Sequence, residues 1–228
     1  MKYKAIGKFQ KYILDWYSKN GRTFPWRYTF DAYKVLVSEI LLQQTNVEKV
    51  INPYNTIVKK YKSVLELADA DIIFFKDLFK DLGLFYRADR IISISRQIIE
   101  MYEGMIPDKR EELLAIKGIG NYTGNAILCF GYNKPYAIVD TNVIRVFDRF
   151  FGFKSSSKRP HTDKKVWEFA QMLIPEDNYV DYNYGLLDFA AVVCRSRKPM
   201  CSNCLIYDMC CYNLNNITSD NSKNPINK

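Results

Sequence analysis

The sequence predicts an all-α protein. Three observations support this. Apolar residues recur at helical spacing, as in Ile6, Phe9, Ile13 and Trp16. No stretch shows convincing strand alternation, and no long-period repeat is present. Apolar-periodic segments are separated by short polar or glycine-bearing turns. The chain has 228 residues and 48% hydrophobic content, enough for one large domain or two small intertwined ones.

The first element, MKYKAIGKFQKYILDWYSKNG, is amphipathic and lacks the apolar core of a secretion signal. Residues 31–45 read as a helix. Pro53 is expected to break or kink the segment 47–61. Ser63-x-x-Glu66 and Asp108-x-x-Glu111 look like capping boxes that open further helices. A long amphipathic helix follows over 86–102 and ends near Gly104. Helices over 121–130 and 141–151 are joined by GYNKP at 131–135, and helices over 162–173 and 184–193 come next. The polar end, NLNNITSDNSKNPINK, reads as a loose tail.

Lysine and arginine outnumber aspartate and glutamate, 33 to 25, for a net charge of +8. Such a surplus favours a polyanion partner, nucleic acid being the usual one. No apolar run reaches membrane-spanning length, so no membrane partner is expected. Without a secretion signal the expected location is the cytoplasm, where cysteines stay reduced and a cysteine cluster reads as a metal site.

Five of six cysteines fall in CRSRKPMCSNCLIYDMCC. Cys194, Cys201, Cys204 and Cys210 have spacing x6, x2, x5. Four thiolates so close in sequence can wrap one compact site, a [4Fe–4S] cluster or, less readily, zinc. Zinc sites more often pair two C-x-x-C knuckles, and only one is present. Cys129 reads as a small core residue. Arg195, Arg197 and Lys198 in the cysteine loop are either phosphate contacts or a solvated charged face.

Gly118-Ile119-Gly120 lies between two expected helices. Glycines there allow positive φ and close approach of another backbone. The N–H groups opening the second helix suit a phosphate, although many helical hairpins use glycine for the turn alone. Asp140, in AIVDTNVIRVFDRF, sits where an extended stretch becomes a helix. Its ordinary role is an N-cap. A carboxylate kept anionic there also suits a reaction that develops positive charge on a sugar ring. Glu39, in KVLVSEILLQQT, is flanked by apolar residues. It reads either as a solvent-facing side chain or as a pocket-wall carboxyl with a raised pKa, fit for acid catalysis. Gln43, one turn on, shares its face and can reach toward nucleic acid.

Taken together, FPWR at 24–27, SEILLQQT at 38–45, KGIGNYTGNAI at 117–127, VDTNVIRVFDRF at 139–150 and the cysteine pattern at 194–210 resemble the helix-hairpin-helix DNA glycosylases of the endonuclease III superfamily. The resemblance covers about residues 10–211 and implies two all-α lobes with double-stranded DNA between them and a damaged or mismatched base flipped from the stack. It implies a central domain over 29–135 with the hairpin, a second domain from 1–28 and 136–211 with the cluster, and a tail over 212–228. The phosphate-holding hairpin maps to Lys117, Gly118 and Gly120, often with a monovalent cation on the turn carbonyls. The catalytic aspartate maps to Asp140 and the cluster ligands to the four cysteines. Lys117 replaces the family's usual proline. Bifunctional relatives carry at position 122 a lysine that forms an imine with C1′. Tyr122 cannot do so, which implies base removal by water without strand cleavage.

Two branches of the family fit. Adenine-DNA glycosylases share SEILLQQT. They usually have serine at position 122, a tyrosine wedge where this chain has Leu84, and a further domain for 8-oxoguanine, for which 228 residues leave no room. Prokaryotic thymine-DNA mismatch glycosylases have this length, tyrosine at the hairpin and the same cysteines, and are the favoured resemblance. A monomer is expected. A catalytically silent iron–sulfur DNA-binding module is a separate reading that Asp140 and Glu39 argue against. A zinc-braced helical protein unrelated to DNA is a third.

Overall fold

The structure, a computed structural model, describes residues 2–80 and 86–214, with side chains from residue 5 onward. Leu84 and the tail beyond residue 214 lie outside the described residues. The helices are α1 (Lys2–Asn20), α2 (Ala32–Leu42), α3 (Val47–Lys60), α4 (Val64–Ala68), α5 (Ile72–Leu78), α6 (Tyr86–Tyr102), α7 (Arg110–Ala115), α8 (Asn121–Ala126), α9 (Thr141–Phe151), α10 (Lys164–Met172) and α11 (Tyr179–Val192). Among the described residues there is no strand, and no helix is long and apolar enough to cross a membrane. The all-α expectation therefore holds. The chain forms two compact units, one from Thr23–Tyr136 and one from Met1–Arg22 with Ala137–Lys228.

The Thr23–Tyr136 unit is built on α2, which is buried from Tyr33 to Leu41. Asp31 caps it, accepting the Tyr33 and Lys34 N–H groups. Trp26 of the FPWR stretch stacks on Phe24 and meets Tyr54 of α3 edge-on, at 5.0 and 5.4 Å between ring centroids. Pro53 does not break the segment as expected: α3 runs through it. Proline removes one N–H bond there, but the buried row Val50, Tyr54 and Ile57 still holds the helix to the core.

The Ser63 cap forms, its hydroxyl accepting the Glu66 N–H, although Glu66 reaches back to Lys62 and not to the cap residue. The Asp108 capping box does not form. Lys109 occupies the N-cap of α7, and Asp108 pairs instead with Lys134 at 2.7 Å. After Ala126 the predicted helix over 121–130 widens into a π-turn, Ile127–Gly131, with fully buried Cys129 inside it. A side chain at Gly131 would lie 2.7 Å from the Ala32 Cα, so the missing Cβ lets this turn reach the start of α2.

In the other unit α1 buries Phe9 and Ile13, with Ile6 and Trp16 packed at the margin, the face predicted from their spacing. Its partner is α11, which starts five residues before the predicted 184 and is apolar nearly all round. Phe147, Phe150, Phe151 and Phe169 add a mutually edge-on ring cluster. Fully buried Asp188 of α11 accepts from the Arg22 N–H at 2.9 Å and from its guanidinium, tying the end of the N-terminal segment to the unit core.

The closest helix crossing here is at Gly185, where an added Cβ would stand 2.8 Å from Tyr17 Cβ and 3.0 Å from Ile13 Cγ2. Gly185→Ala is therefore expected to lower unfolding free energy by about 1–3 kcal/mol through overpacking, read as a shifted midpoint in urea denaturation.

Candidate active site

Asp140 is delivered by a short extended stretch. Ala137, Ile138 and Val139 are buried. The Ala137 N–H donates to Gln171 Oε1 at 3.1 Å and the Ile138 N–H to Asn183 Oδ1 at 3.0 Å. The chain then turns into α9 with Asp140 at the N-cap, Oδ1 accepting the Val143 N–H at 2.7 Å. Oδ2 accepts from Asn142 Nδ2 at 2.7 Å, and Asn142 Oδ1 accepts from Arg145 at 2.9 Å. Arg145 also donates to the Cys194 and Ala190 carbonyls. Asp140 is thus a cap, with both carboxylate oxygens held by donors at the start of α9. Gln171, Asn183, Asn142 and Arg145 were not singled out in the sequence, because nothing local marks a side chain that braces a distant strand or loop.

Glu39 has the opposite character. It is 6% exposed on α2, and its Oε2 is buried without a hydrogen-bond partner. Burial pushes its carboxyl up to about 8, against the opposing pull of the Arg27 guanidinium from the FPWR stretch. The pocket-wall reading holds over the solvent-facing one. At neutral pH this carboxyl keeps its proton and can donate it, or a hydrogen bond, to an incoming acceptor.

Gln43 departs from expectation. Helix α2 stops at Leu42, and Gln43 is its C-cap at ψ 118, so it does not continue the face that carries Glu39. Its side-chain oxygen accepts from Arg90 at 2.9 Å and its carbonyl accepts from Arg87. Gln44, next in the chain, is exposed with φ +52, a left-handed conformation uncommon outside glycine. That outward residue was not singled out in the sequence, where the two glutamines look equivalent.

The hairpin joins α7 to α8, and Arg110 clasps its two arms by donating to Asn121 and Asn125. The two glycines serve different ends. Gly118 has φ +110 and needs glycine for its backbone. Gly120 has φ −101, which any residue adopts, but a Cβ there would meet nothing within 4 Å, so its bare face opens outward. Lys117 is exposed, with its backbone N–H and carbonyl both bonded to the Gln97 amide. Half-buried Tyr122 follows in the first turn of α8.

Cys194, Cys201, Cys204 and Cys210 line one pocket of their unit with Val146, Phe150, Val193 and Met200. Among the described residues no group of three such side chains forms a ready ion site. Burial raises the Cys204 and Cys210 thiols. Arg149 of α9 organises the loop, donating to the Arg195 and Ser196 carbonyls and to the Cys194 sulfur at 3.6 Å. Arg195, Arg197 and Lys198 are exposed on it.

The chain belongs to the HhH-GPD superfamily of base excision DNA repair proteins, whose family model matches residues 37–172. It is 36% identical over 208 residues to a thymine/uracil-DNA glycosylase of Pyrobaculum aerophilum, covering 90% of each chain. It is 33% identical to an adenine DNA glycosylase of Buchnera aphidicola, over 89% of this chain and 58% of that one. Its fold matches that of a thermostable thymine-DNA glycosylase with a TM-score of 0.88 and 34% identity, over 94% of this chain and 99% of the other.

The raised value at Glu39 makes a stability statement. The folded protein holds a proton that the unfolded chain releases above about pH 4.5, so stability is highest below that pH and falls as pH rises toward about 8. Glu39→Gln is expected to remove this slope. The variant should exceed the parent in stability on the order of 4 kcal/mol at pH 8 and hardly at pH 4.5, measured by urea denaturation at both.

Proposed function

We propose that this chain is a monofunctional DNA glycosylase that hydrolyses the N-glycosidic bond of thymine or uracil mispaired with guanine in double-stranded DNA. The observation that carries the reading is a thymine/uracil-DNA glycosylase matched along 90% of both chains. The phenol Tyr122 at the hairpin, where an amine would give strand cleavage, supports it.

In this reading Gly118, Gly120 and Lys117 hold a backbone phosphate, Arg195, Arg197 and Lys198 of the other unit make phosphate contacts of their own, and Gln43 lies toward the opened base pair. A mispaired pyrimidine is weakly held, so flipping it requires less than opening a matched pair. As the C1′–N1 bond breaks, its electron pair leaves with the base, and Glu39 in its acid form donates a hydrogen bond to a carbonyl oxygen of that base. The Asp140 carboxylate stabilises the positive charge left on the sugar. Water adds at C1′, its proton passes to the departed base, and an abasic site remains. Tyr122 lines the base pocket.

The four cysteines fit a [4Fe–4S] cluster. They line one pocket, and four thiolates with a single C-x-x-C pair among them suit a cluster better than zinc, whose sites more often pair two such knuckles. Arg149 and backbone N–H groups of Ile206, Tyr212 and Asn213 face the sulfurs and suit thiolate ligands. When bound, the cluster braces the loop that carries the basic residues. Protein purified without oxygen should be brown, with about four iron and four sulfide per chain. A colourless protein with one zinc would refute the assignment.

A panel of labelled duplexes, each with one mismatch or lesion and followed by alkali, tests the activity. Thymine and uracil opposite guanine should be released and matched A·T left intact, with no borohydride-trapped adduct. Asp140→Asn keeps the cap acceptor but loses the charge, so base release should fall by about 100-fold or more with DNA binding kept. Adenine release from 8-oxoguanine·A with no action on G·T would favour the second reading, which the protonated Glu39 and the 33% relative also allow.

A further inference from the structure

Helix α6 carries three polar side chains that the proposed reaction leaves unused. Arg87 is fully buried, and its Nε and Nη1 have no partner. Arg90, one turn on, has a buried Nε without a partner as well. Open valences on buried guanidinium groups are unfavourable, so a role in stability does not account for them. Their remaining bonds do. Arg87 donates to the Gln43 carbonyl. Arg90 donates through one nitrogen to Gln43 Oε1 at 2.9 Å and through the other to the Gly118 carbonyl at 2.5 Å. Gln97, seven residues along and so on the same face, holds the backbone of Lys117 from both sides.

A guanidinium is a rigid planar fork, so two acceptors bonded to it are fixed relative to each other. It only donates, so the Gln43 amide must turn its oxygen inward and its NH₂ away. The backbone carbonyl held by Arg87 directly precedes Gln44, the exposed residue in a left-handed conformation that a non-glycine residue keeps only when its surroundings enforce it.

We propose that Arg87 and Arg90 are positioning residues. They register the Gln43–Gln44 turn against the hairpin, so that a phosphate gripped at Gly118 and Gly120 places the turn at the distorted base pair. The proposal rests on the DNA-glycosylase reading for the nature of the ligand and not for the registration itself.

The test uses the full chain as Arg90→Lys, Arg90→Met, Gln43→Leu and the double variant. Each is titrated with a matched duplex and with one holding a tetrahydrofuran abasic analogue opposite guanine. Both Arg90 variants should bind the matched duplex within twofold of the parent and lose about tenfold or more of the preference for the abasic analogue. Gln43→Leu should lose the same preference, and adding Arg90→Met to it should cost nothing further. Lysine keeps the charge without the fork. Full preference in Arg90→Lys would therefore overturn the proposal, as would equal weakening of both duplexes in Arg90→Met. Should Arg90→Met fail to fold, Gln43→Leu and Arg90→Lys decide alone.

Amide hydrogen exchange on DNA-free protein separates this from the function. Arg90→Lys should speed exchange in the 43–46 turn and the 117–120 hairpin together. If the parent shows no abasic preference, the glycosylase reading fails while this joint loosening still supports registration. Loosening of only one segment, or of neither, would overturn it.

Discussion

Short helices leave many backbone groups unsatisfied at their ends, and those ends are where this protein keeps its chemistry. Asp140 is an N-cap, Gly120 is an N-cap without a capping side chain, Gln43 is a C-cap, and Cys194 lies just past the end of α11. Each terminus has to be closed by a side chain, by another backbone or by a ligand. At α9 the closing group, Asp140, is also the carboxylate that the proposed reaction sets against the sugar. At α8 no side chain closes the start, and the bare Gly120 face leaves it open. The interior supports this arrangement: Gln171 and Asn183 fix the extended stretch before Asp140, and Arg110 clasps the hairpin.

The two carboxyl groups show how environment divides labour. Asp140 is bonded through both oxygens to donors. Glu39 has an oxygen with no donor and a wall of apolar helix around it, the condition that keeps a carboxyl protonated. One is fit to face a developing cation and the other to face an acceptor. The same absence of a partner makes Glu39 unfavourable for the folded state, a feature expected where function and stability conflict.

Much of this was legible in the sequence, and the gaps have physical causes. Periodicity located α1, α6 and α9, because each has one buried face and a clear end. It misjudged α11, since a helix buried nearly all round has no periodic boundary. Local rules overstated Pro53 and the Asp108 box. Tertiary packing carried α3 through the proline, and Lys134, distant in sequence, took the aspartate. Glu39 stood out as a carboxyl among apolar flanks and the cysteines by their spacing, while Asp140, an ordinary residue for a helix start, stood out only through the motif that holds it. Arg90, Arg110 and Asn183 did not. Their partners are 11 to 47 residues away, and a single sequence carries no mark of such pairings.

The division of the chain bears on the order in which it can fold during synthesis. The Thr23–Tyr136 unit is continuous and leaves the ribosome whole, so it can condense first. The other unit cannot. Helix α1 emerges before that unit, with Phe9 and Ile13 uncovered, yet α11 and the Asp188 that Arg22 pairs with follow more than 160 residues later. Between those moments an amphipathic helix waits with its apolar face uncovered. Helix α11 is what finally shelters it, so the nascent chain is exposed to aggregation in that interval.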